Sequence, residues 1–434
     1  MTESSALLTD RYELTMVDAA LRENMHEREC LFEVFTRRLP AGRRYGVFAG
    51  SGRLLTLIQS FRFGESELEY IRDQHIVHTD TLDWLANFRF SGSINGYREG
   101  ELFFPGSPVL SFEAPFAEGV LLETLVLSVV NYDSAVASAA ARMVTAASDR
   151  PLTEMGSRRT GERSAVAAAR AAYIAGFAAT SNLEAGRSWG IPTMGTAAHA
   201  FTLLHENEER AFSAQIESLG SGTTLLVDTY DVEKGVDTAI RVAGTQLGGV
   251  RLDSGDLPQL VRRTRDQLDR LGATATRITV TNDLDEFTIA ALSGAPVDTY
   301  GVGTSVVTGS GAPACGMVYK LVARRDDAGQ WVPVAKKSDG KASIGGRKTA
   351  FRHCDDEGKA VAEMIRVDEN ISSDQSYGRP LLTPLMIEGH IQNEHLGIGG
   401  VLRAREHHTR VRAELPEQAL RLGPGGPAIP TIIG

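Results

Sequence analysis

Between residues 156 and 305 the chain carries several short segments whose residue types suit the binding and transfer of an anionic group. Gly156-Ser-Arg-Arg-Thr-Gly-Glu-Arg-Ser164 places Arg158, Arg159 and Arg163 together against one acid, Glu162. Guanidinium groups take phosphate oxygens bidentately, and a helix start beside them adds backbone donors. A solvated basic turn ahead of an Ala-rich helix over 165–179 fits the same residues equally well. Gly249-Val-Arg-Leu-Asp-Ser-Gly-Asp256 is more specific, because Arg251 stands in an apolar strand context where an unpaired cation is costly and an anionic partner is required. Asp253 and Asp256, either side of Ser254-Gly255, are spaced to hold ribose hydroxyls or a magnesium ion shared with substrate phosphates. An internal Arg to Asp ion pair with a helix cap at Asp253 is the competing reading. Gly301-Val-Gly-Thr-Ser305 offers bare backbone at Gly301 and Gly303 and hydroxyl and amide donors at Thr304 and Ser305, as a phosphate cradle or as a tight strand-to-helix turn. Gly195-Thr-Ala-Ala-His199 sets one His a helical turn after a strand end, with Thr196 on the same side. That His suits a base, a nucleophile or a ligand, or equally a satisfied structural role, since no second His or Cys stands at metal-ligand spacing. Asp228, Asp231, Asn282 and Asp283 fall at similar places, as site groups or helix caps.

The elements that must position these residues form a repeat. Short apolar runs begin at Ile191, Leu225, Gly249, Ile278 and Thr299, each ending in polar residues and followed by a helical stretch. Such spacing fits parallel strands joined by crossover helices, in a barrel or an open parallel sheet, and in both the chemistry gathers at the carboxyl ends of the strands. One shared site is therefore expected. Ahead of the repeat, Asp10 and Glu13 read as a capping box opening a helix with Leu14, Val17 and Leu21 on one face and Tyr12 in its first turn. Residues 30–37 read as a strand, and 94–122 as short strands with tight turns. After the repeat, Met317 to Val322 reads as a strand, Asp326 to Gly329 as a turn, and Gly423-Pro-Gly-Gly-Pro as a loose tail.

Composition sets the outer bounds. The 434 residues, 42% hydrophobic and 23% charged, can build two or three units with ordinary cores. Lys and Arg number 45 against 55 Asp and Glu, a net charge of −10, the wrong sign for a general nucleic-acid or membrane-surface binder. Cys30, Cys315 and Cys354 are far apart and without CxxC spacing, so neither a disulfide framework nor a zinc knuckle is indicated. The opening MTESSALLTDRYELTM lacks the succession of a signal peptide, and the apolar run 120–130 is interrupted by Glu123, Thr124 and Ser128. The expectation is a cytoplasmic protein without a transmembrane segment.

Taken in order, TDRYELTM (9–16), GSRRTGER (156–163), GTAAHAF (195–201), LLVDTYD (225–231), GVRLDSGD (249–256) and GVGTSVVT (301–308) resemble nicotinate phosphoribosyltransferase, over roughly residues 7–325. The resemblance implies an α/β fold: an irregular (β/α) barrel of the type II phosphoribosyltransferase kind, with a second α/β domain built from both chain ends. The corresponding boundaries are 1–125 with about 340–434, and 126–339 for the barrel. It implies formation of nicotinate mononucleotide and pyrophosphate from nicotinate and phosphoribosyl pyrophosphate in NAD biosynthesis, coupled to ATP hydrolysis. By the same resemblance His199 is phosphorylated by ATP, Tyr12, Thr196 and Arg251 contact nicotinate, and Thr304 contacts phosphoribosyl pyrophosphate. The related enzymes are homodimers with shared sites, which implies that Tyr12 serves the neighbouring subunit.

The chemistry agrees with this assignment. Loss of pyrophosphate from the anomeric carbon builds negative charge on the leaving group, so magnesium, arginines and positioning should carry catalysis. Arg158, Arg159, Ser254, Gly255 and Gly303 join Thr304 on the phosphoribosyl pyrophosphate side, Asp253 and Asp256 suit the magnesium ion, and Arg251 and Asp253 stand with His199 at the reacting centre. Nicotinate brings its own nucleophilic nitrogen and needs an arginine for its carboxylate and an aromatic for its ring. The rivals are a nicotinamide-specific enzyme of the same fold, a phosphosugar aldolase or isomerase, which would want a strand-end lysine or paired carboxylates, and a non-catalytic nucleotide-sensing or interaction protein on an old enzyme scaffold.

Overall fold

Six short parallel strands form the sheet that carries the polar segments. In a computed structural model describing residues 4–40, 42–336, 343–367 and 378–434, their order is Ala179–Thr180, Leu152–Glu154, Thr299–Val302, Arg277–Val280, Gly249–Leu252 and Thr224–Leu226. The last strand in sequence pairs with the first, Tyr300 opposite Leu152, as it does when successive βα units curl into a barrel. Beyond Ala179–Thr180 the ring continues only as a single bridge from Thr180 to Thr193. The sheet thus ends at Thr193 on one side and Thr224–Leu226 on the other, a curled half-barrel left open there. This is the α/β architecture expected, in its irregular form.

The local causes are plain. Val250, Leu252, Ile278, Val280, Tyr300 and Val302 are buried, while the crossover helices present apolar stripes at helical spacing: Val236, Ala239 and Ile240 on Val232–Ala243, and Val261 and Leu268 on Leu257–Arg270. Asn182, Asn207, Asp231 and Asp285 each accept a backbone N–H at a helix start, so the cap reading is the correct one for Asp231. Of the five expected strand units, Ile191 to His199 gives only the bridge at Thr193. Two strands went unanticipated, Leu152–Glu154 and Ala179–Thr180, because two or three residues are too few to show a period. The Ala-rich helix spans Glu162–Ile174 and stops short of 179, where Gly176 takes φ +118°.

The chain divides into two compact units, Ala139–Gly311, which holds this sheet, and Met1–Ser138 with Ala312–Gly434. The division falls inside the helix Glu123–Ala147, not at 125. That helix is long and apolar enough to span a membrane by composition, but 72% of its apolar window is buried in the protein, as suits a core helix. The strand Met317–Arg325 lies outside the barrel unit: it pairs antiparallel with Glu29–Thr36. The expected boundary at 339/340 lies outside the described residues. In the second unit a seven-stranded antiparallel sheet interleaves both ends of the chain, in the order Trp331–Pro333, Met317–Arg325, Glu29–Thr36, Leu110–Pro115, Ser93–Tyr97, Leu382–Ile387 and His390–Ile391. Phe32 stacks on Tyr319 at 5.1 Å in its core. Gly423 to Pro427 forms neither helix nor strand, as expected, but the chain then returns to a sheet, where Thr431–Ile433 pairs parallel with Glu363 to Ile365. The helix Arg11–Arg22 begins after Asp10, but no capping box forms: Asp10 and Glu13 instead accept hydrogen bonds from Thr124, and Glu13 another from Thr9.

Candidate active site

The carboxyl ends of the parallel strands surround a cavity of about 480 Å³, within the usual range for a small-molecule site. Arg158, Arg159, Thr196, Arg251, Asp253, Gly303 and Thr304 line it, with Met155, Ser181, Met194, Thr281, Asn282 and Asp283. Among these lining residues there is no lysine, which counts against a Schiff-base aldolase.

Each side chain arrives by a local cause. Arg251 projects from Gly249–Leu252 at the one partly exposed position of that strand. Its Nη2 stands 3.9 Å from Asp253 Oδ2, and its buried Nε has no hydrogen-bond partner. Thus the Arg to Asp ion pair of the competing reading forms only loosely, and the guanidinium keeps donors for a ligand. Asp253 accepts a hydrogen bond from the Thr281 hydroxyl on the adjacent strand end. Asp228, 1% exposed, accepts the Asp253 N–H and the Ser254 hydroxyl at 2.8 Å each through Oδ2, while Oδ1 stays buried and unpartnered. Asp228 therefore braces the Asp253 turn.

His199 opens the helix His199–Leu204, at the open side of the ring. Its Nε2 lies 3.8 Å from Asp253 Oδ2 and 3.9 Å from Asp228 Oδ1, and its Nδ1 lies 3.1 Å from the Thr229 hydroxyl. The imidazole thus stands beside the cavity between two carboxylates, 40% exposed and open to a reactant. Gly301 is where close approach demands glycine: a Cβ there would stand 2.6 Å from Thr281 and 2.7 Å from the Met155 sulfur. Asn282 and Asp283, both at the rim, take φ values of +87° and +39°, a costly conformation for non-glycine residues and one that gathers at functional sites.

Of the expected site residues in the barrel unit, Ser254, Gly255 and Asp256 are not brought to the cavity. Ser254 points to Asp228, and the chain turns at Gly255, φ +89°, so that Gly255 and Asp256 border a separate cavity of about 290 Å³ with Leu257 and Pro258. Asp253 and Asp256 therefore do not converge as a carboxylate pair. Among the described residues no group of three or more His, Cys, Asp or Glu forms a metal cage. That donor set fits magnesium only in its usual manner, held by one carboxylate and by substrate phosphates. Tyr12 belongs to the other unit, 46% exposed on Arg11–Arg22. Partial burial and the nearby carboxylates of Glu123, Glu13 and Asp10 push its phenol up to about 12, which keeps it a neutral donor.

Sequence reasoning missed Met155, Ser181 and Met194 as lining residues, and Glu154 beneath them. Met155, Ser181 and Glu154 lie at the ends of the two strands too short to detect; Met194 follows the single bridge.

Comparison with known proteins agrees with this geometry. Residues 7–131 match the model of the nicotinate phosphoribosyltransferase (NAPRTase) N-terminal domain. The chain is 55% identical to nicotinate phosphoribosyltransferase pncB1 of Mycobacterium tuberculosis, over 99% of this chain and 95% of that one. It is 40% identical to the nicotinate phosphoribosyltransferase of Bacillus subtilis, over 81% and 73%. Among solved structures, human nicotinic acid phosphoribosyltransferase superposes with a TM-score of 0.82 at 25% identity, covering 98% of this chain and 97% of that one. With relatives this similar over nearly their whole length, the chain belongs to the nicotinate phosphoribosyltransferase family.

Proposed function

We propose that the cavity at the strand ends joins nicotinate to phosphoribosyl pyrophosphate, coupled to ATP through His199. As a member of its family the chain is an enzyme, a nicotinate phosphoribosyltransferase acting in NAD biosynthesis. The observation that carries the substrate assignment is Arg251, partly buried, with a free Nε and an acid no nearer than 3.9 Å. A buried, incompletely paired guanidinium is costly unless an anionic ligand completes it, and the nicotinate carboxylate is such a ligand.

In this reading the ring nitrogen of nicotinate attacks the anomeric carbon of the ribose while the bond to pyrophosphate breaks. Thr196 and Arg251 hold nicotinate. Arg158 and Arg159 face the departing charge, and Gly303 and Thr304 hold the phosphate. Asp253 would be the protein carboxylate for a magnesium ion brought in with the substrate phosphates, which would supply neutralisation of that charge. Transfer of the terminal phosphoryl group of ATP to His199 adds about two negative charges beside Asp228 and Asp253. Repulsion between these groups and the phosphoryl would reorganise the site and tie ATP use to substrate affinity. The proposal also takes the chain as a cytoplasmic homodimer in which Tyr12 serves the neighbouring subunit's site, a role that its exposure on Arg11–Arg22 permits.

The test is pyrophosphate release from phosphoribosyl pyrophosphate by the purified protein. Nicotinate should support it and nicotinamide should not, and ATP should stimulate it. Equal turnover of the two bases would overturn the choice of the acid. His199→Asn should abolish both the ATP stimulation and the phosphoenzyme; a variant that still forms phosphohistidine would place the phosphate elsewhere.

A further inference from the structure

Beneath the arginine loop runs a closed circuit of hydrogen bonds around a carboxylate that does not line the cavity. Glu154, fully buried at the end of Leu152–Glu154, accepts the Gly156 N–H on one oxygen and the Thr180 hydroxyl on the other. The Thr180 oxygen accepts the Asn182 N–H at 3.0 Å, and the Asn182 amide donates to the Ser157 hydroxyl at 3.1 Å, which closes the ring back onto the loop. The Glu154 carbonyl accepts the Ser181 N–H at 2.9 Å. Gly156 is wedged in place, since a Cβ on it would stand 2.2 Å from Val307 and 2.8 Å from the Gly303 carbonyl. Burial raises the Glu154 carboxyl above its ordinary range, against the hydrogen bonds from Thr180 and Gly156. Among the described residues Glu154 has no ion pair, and a buried acid held without one costs stability, so its presence calls for a function.

We propose that Glu154 is a positioning residue, whose two carboxylate oxygens fix the start of the Arg158–Arg159 loop, at Gly156, relative to Thr180 on the neighbouring strand. This rests on the assignment of Arg158 and Arg159 to the pyrophosphate side of the cavity. The role needs acceptors in the right places and not a charge, which separates it from general acid or base work. Glutamine can serve it: its carbonyl accepts the Gly156 N–H, and its amide donates to Thr180, whose hydroxyl can turn from donor to acceptor.

Glu154→Ala should raise KM for phosphoribosyl pyrophosphate at least 20-fold with kcat within threefold, and Glu154→Gln should return KM to within threefold of the parent. Partial unfolding would lower kcat in proportion to the active fraction and leave KM in place, so the split distinguishes positioning from mere stability. Thr180→Val, close in shape and lacking both hydrogen bonds of the Thr180 hydroxyl, should raise the same KM about fivefold, and serves if the alanine variant fails to fold. Unchanged KM in both variants, or a glutamine variant as impaired as alanine, would overturn the proposal. Calorimetric binding of inorganic pyrophosphate, without turnover, separates this from the reaction itself. A parent enzyme that binds pyrophosphate but does not use nicotinate would refute the reaction alone, whereas equal pyrophosphate affinity in parent and Glu154→Ala would refute the positioning role.

Discussion

Two groups of charged residues, one in each unit of the chain, differ in how closely their opposite charges meet. In the unit formed from both chain ends, Glu101, Arg352, Glu363, Arg379 and His407 are closed upon one another. Arg379 meets Glu101 at 2.7 Å and Glu414 at 2.7 Å, Arg352 meets Glu363 at 2.8 Å and Glu101 at 3.8 Å, and His407 meets Glu101 at 2.8 Å. Tyr97 and Ser107 complete Glu363. Burial alone would raise the Glu101 carboxyl, but hydrogen bonds from His407 and Arg379 and the charges of Arg379 and Arg352 outweigh it and hold the group well below the carboxylate range. In the barrel unit the separations among Arg251, Asp253, His199 and Asp228 are 3.8 to 3.9 Å, near enough to attract and too long to satisfy. Each carboxylate of the first group meets a cation at 2.7–2.8 Å, although Arg352 Nε and Nη1 and Arg379 Nε stay unpartnered, whereas no opposite charges of the second group come that close.

The sharpest way to break this contrast is to remove one arginine from each group. Arg352→Ala leaves Glu363 and Glu101 buried without their shared cation and should cost about 3–5 kcal/mol of stability by urea unfolding, with the folded fraction keeping its turnover. Arg251→Ala should behave in the reverse manner. It should leave the unfolding midpoint nearly unchanged while kcat/KM for nicotinate falls about 1,000-fold, or about 4 kcal/mol of transition-state stabilisation. A stable Arg352→Ala, or an Arg251→Ala that unfolds, would abolish the distinction.

How far the sequence disclosed these two groups follows from physics. Arg251 and Asp253 could be read because they sit in a single segment, where an arginine among apolar residues is conspicuous. The closed network could not, since Tyr97, Glu101, Arg352, Glu363 and Arg379 meet only after distant strands pair. Four of the five expected strand units fold as strands, because runs such as Leu225 to Val227 are apolar on their own. Ser181 and Glu154 escaped for the opposite reason: Ala179–Thr180 and Leu152–Glu154 owe their strand state to flanking strands. The turn at Gly255 likewise explains why Asp256, adjacent to Asp253 in the motif, leaves the cavity.

A second difference concerns pH. His408 is fully buried in the closed unit, with Nδ1 hydrogen-bonded to the Gly100 carbonyl at 2.9 Å and Nε2 unpartnered. Burial, against that hydrogen bond and aided by the charges of Arg412 and His407, pushes the group down to about 4, whereas in the unfolded chain it titrates near 6.5. The folded state therefore binds fewer protons between those values. The stabilisation is fully present above about 6.5 and is lost as pH falls through 4, by about 3 kcal/mol in all. Urea unfolding from pH 7 to pH 4.5 should show a slope shallower by up to about 1.4 kcal/mol per pH unit in His408→Gln than in the parent. Parallel slopes would mean that His408 accepts its proton without unfolding.

The smallest effects sharpen the comparison most, because one chemical change can be made in both places. Thr36 in the closed unit donates its buried hydroxyl to the Cys315 carbonyl at 2.9 Å, and Thr281 at the cavity donates to Asp253. Valine keeps the shape of threonine and deletes the hydroxyl, so each substitution removes about 1 kcal/mol of hydrogen bonding. In Thr36→Val the loss has nowhere to appear but in stability, as a small fall in the unfolding midpoint with kinetics unchanged. In Thr281→Val the carboxylate of Asp253 loses its tether yet stays partly solvated, so stability should hold. The loss should instead raise KM for phosphoribosyl pyrophosphate about fivefold, as the acid proposed to meet magnesium and its substrate is freed to wander. If both variants lost stability equally and neither changed KM, Asp253 would belong with the closed network as one more structural acid.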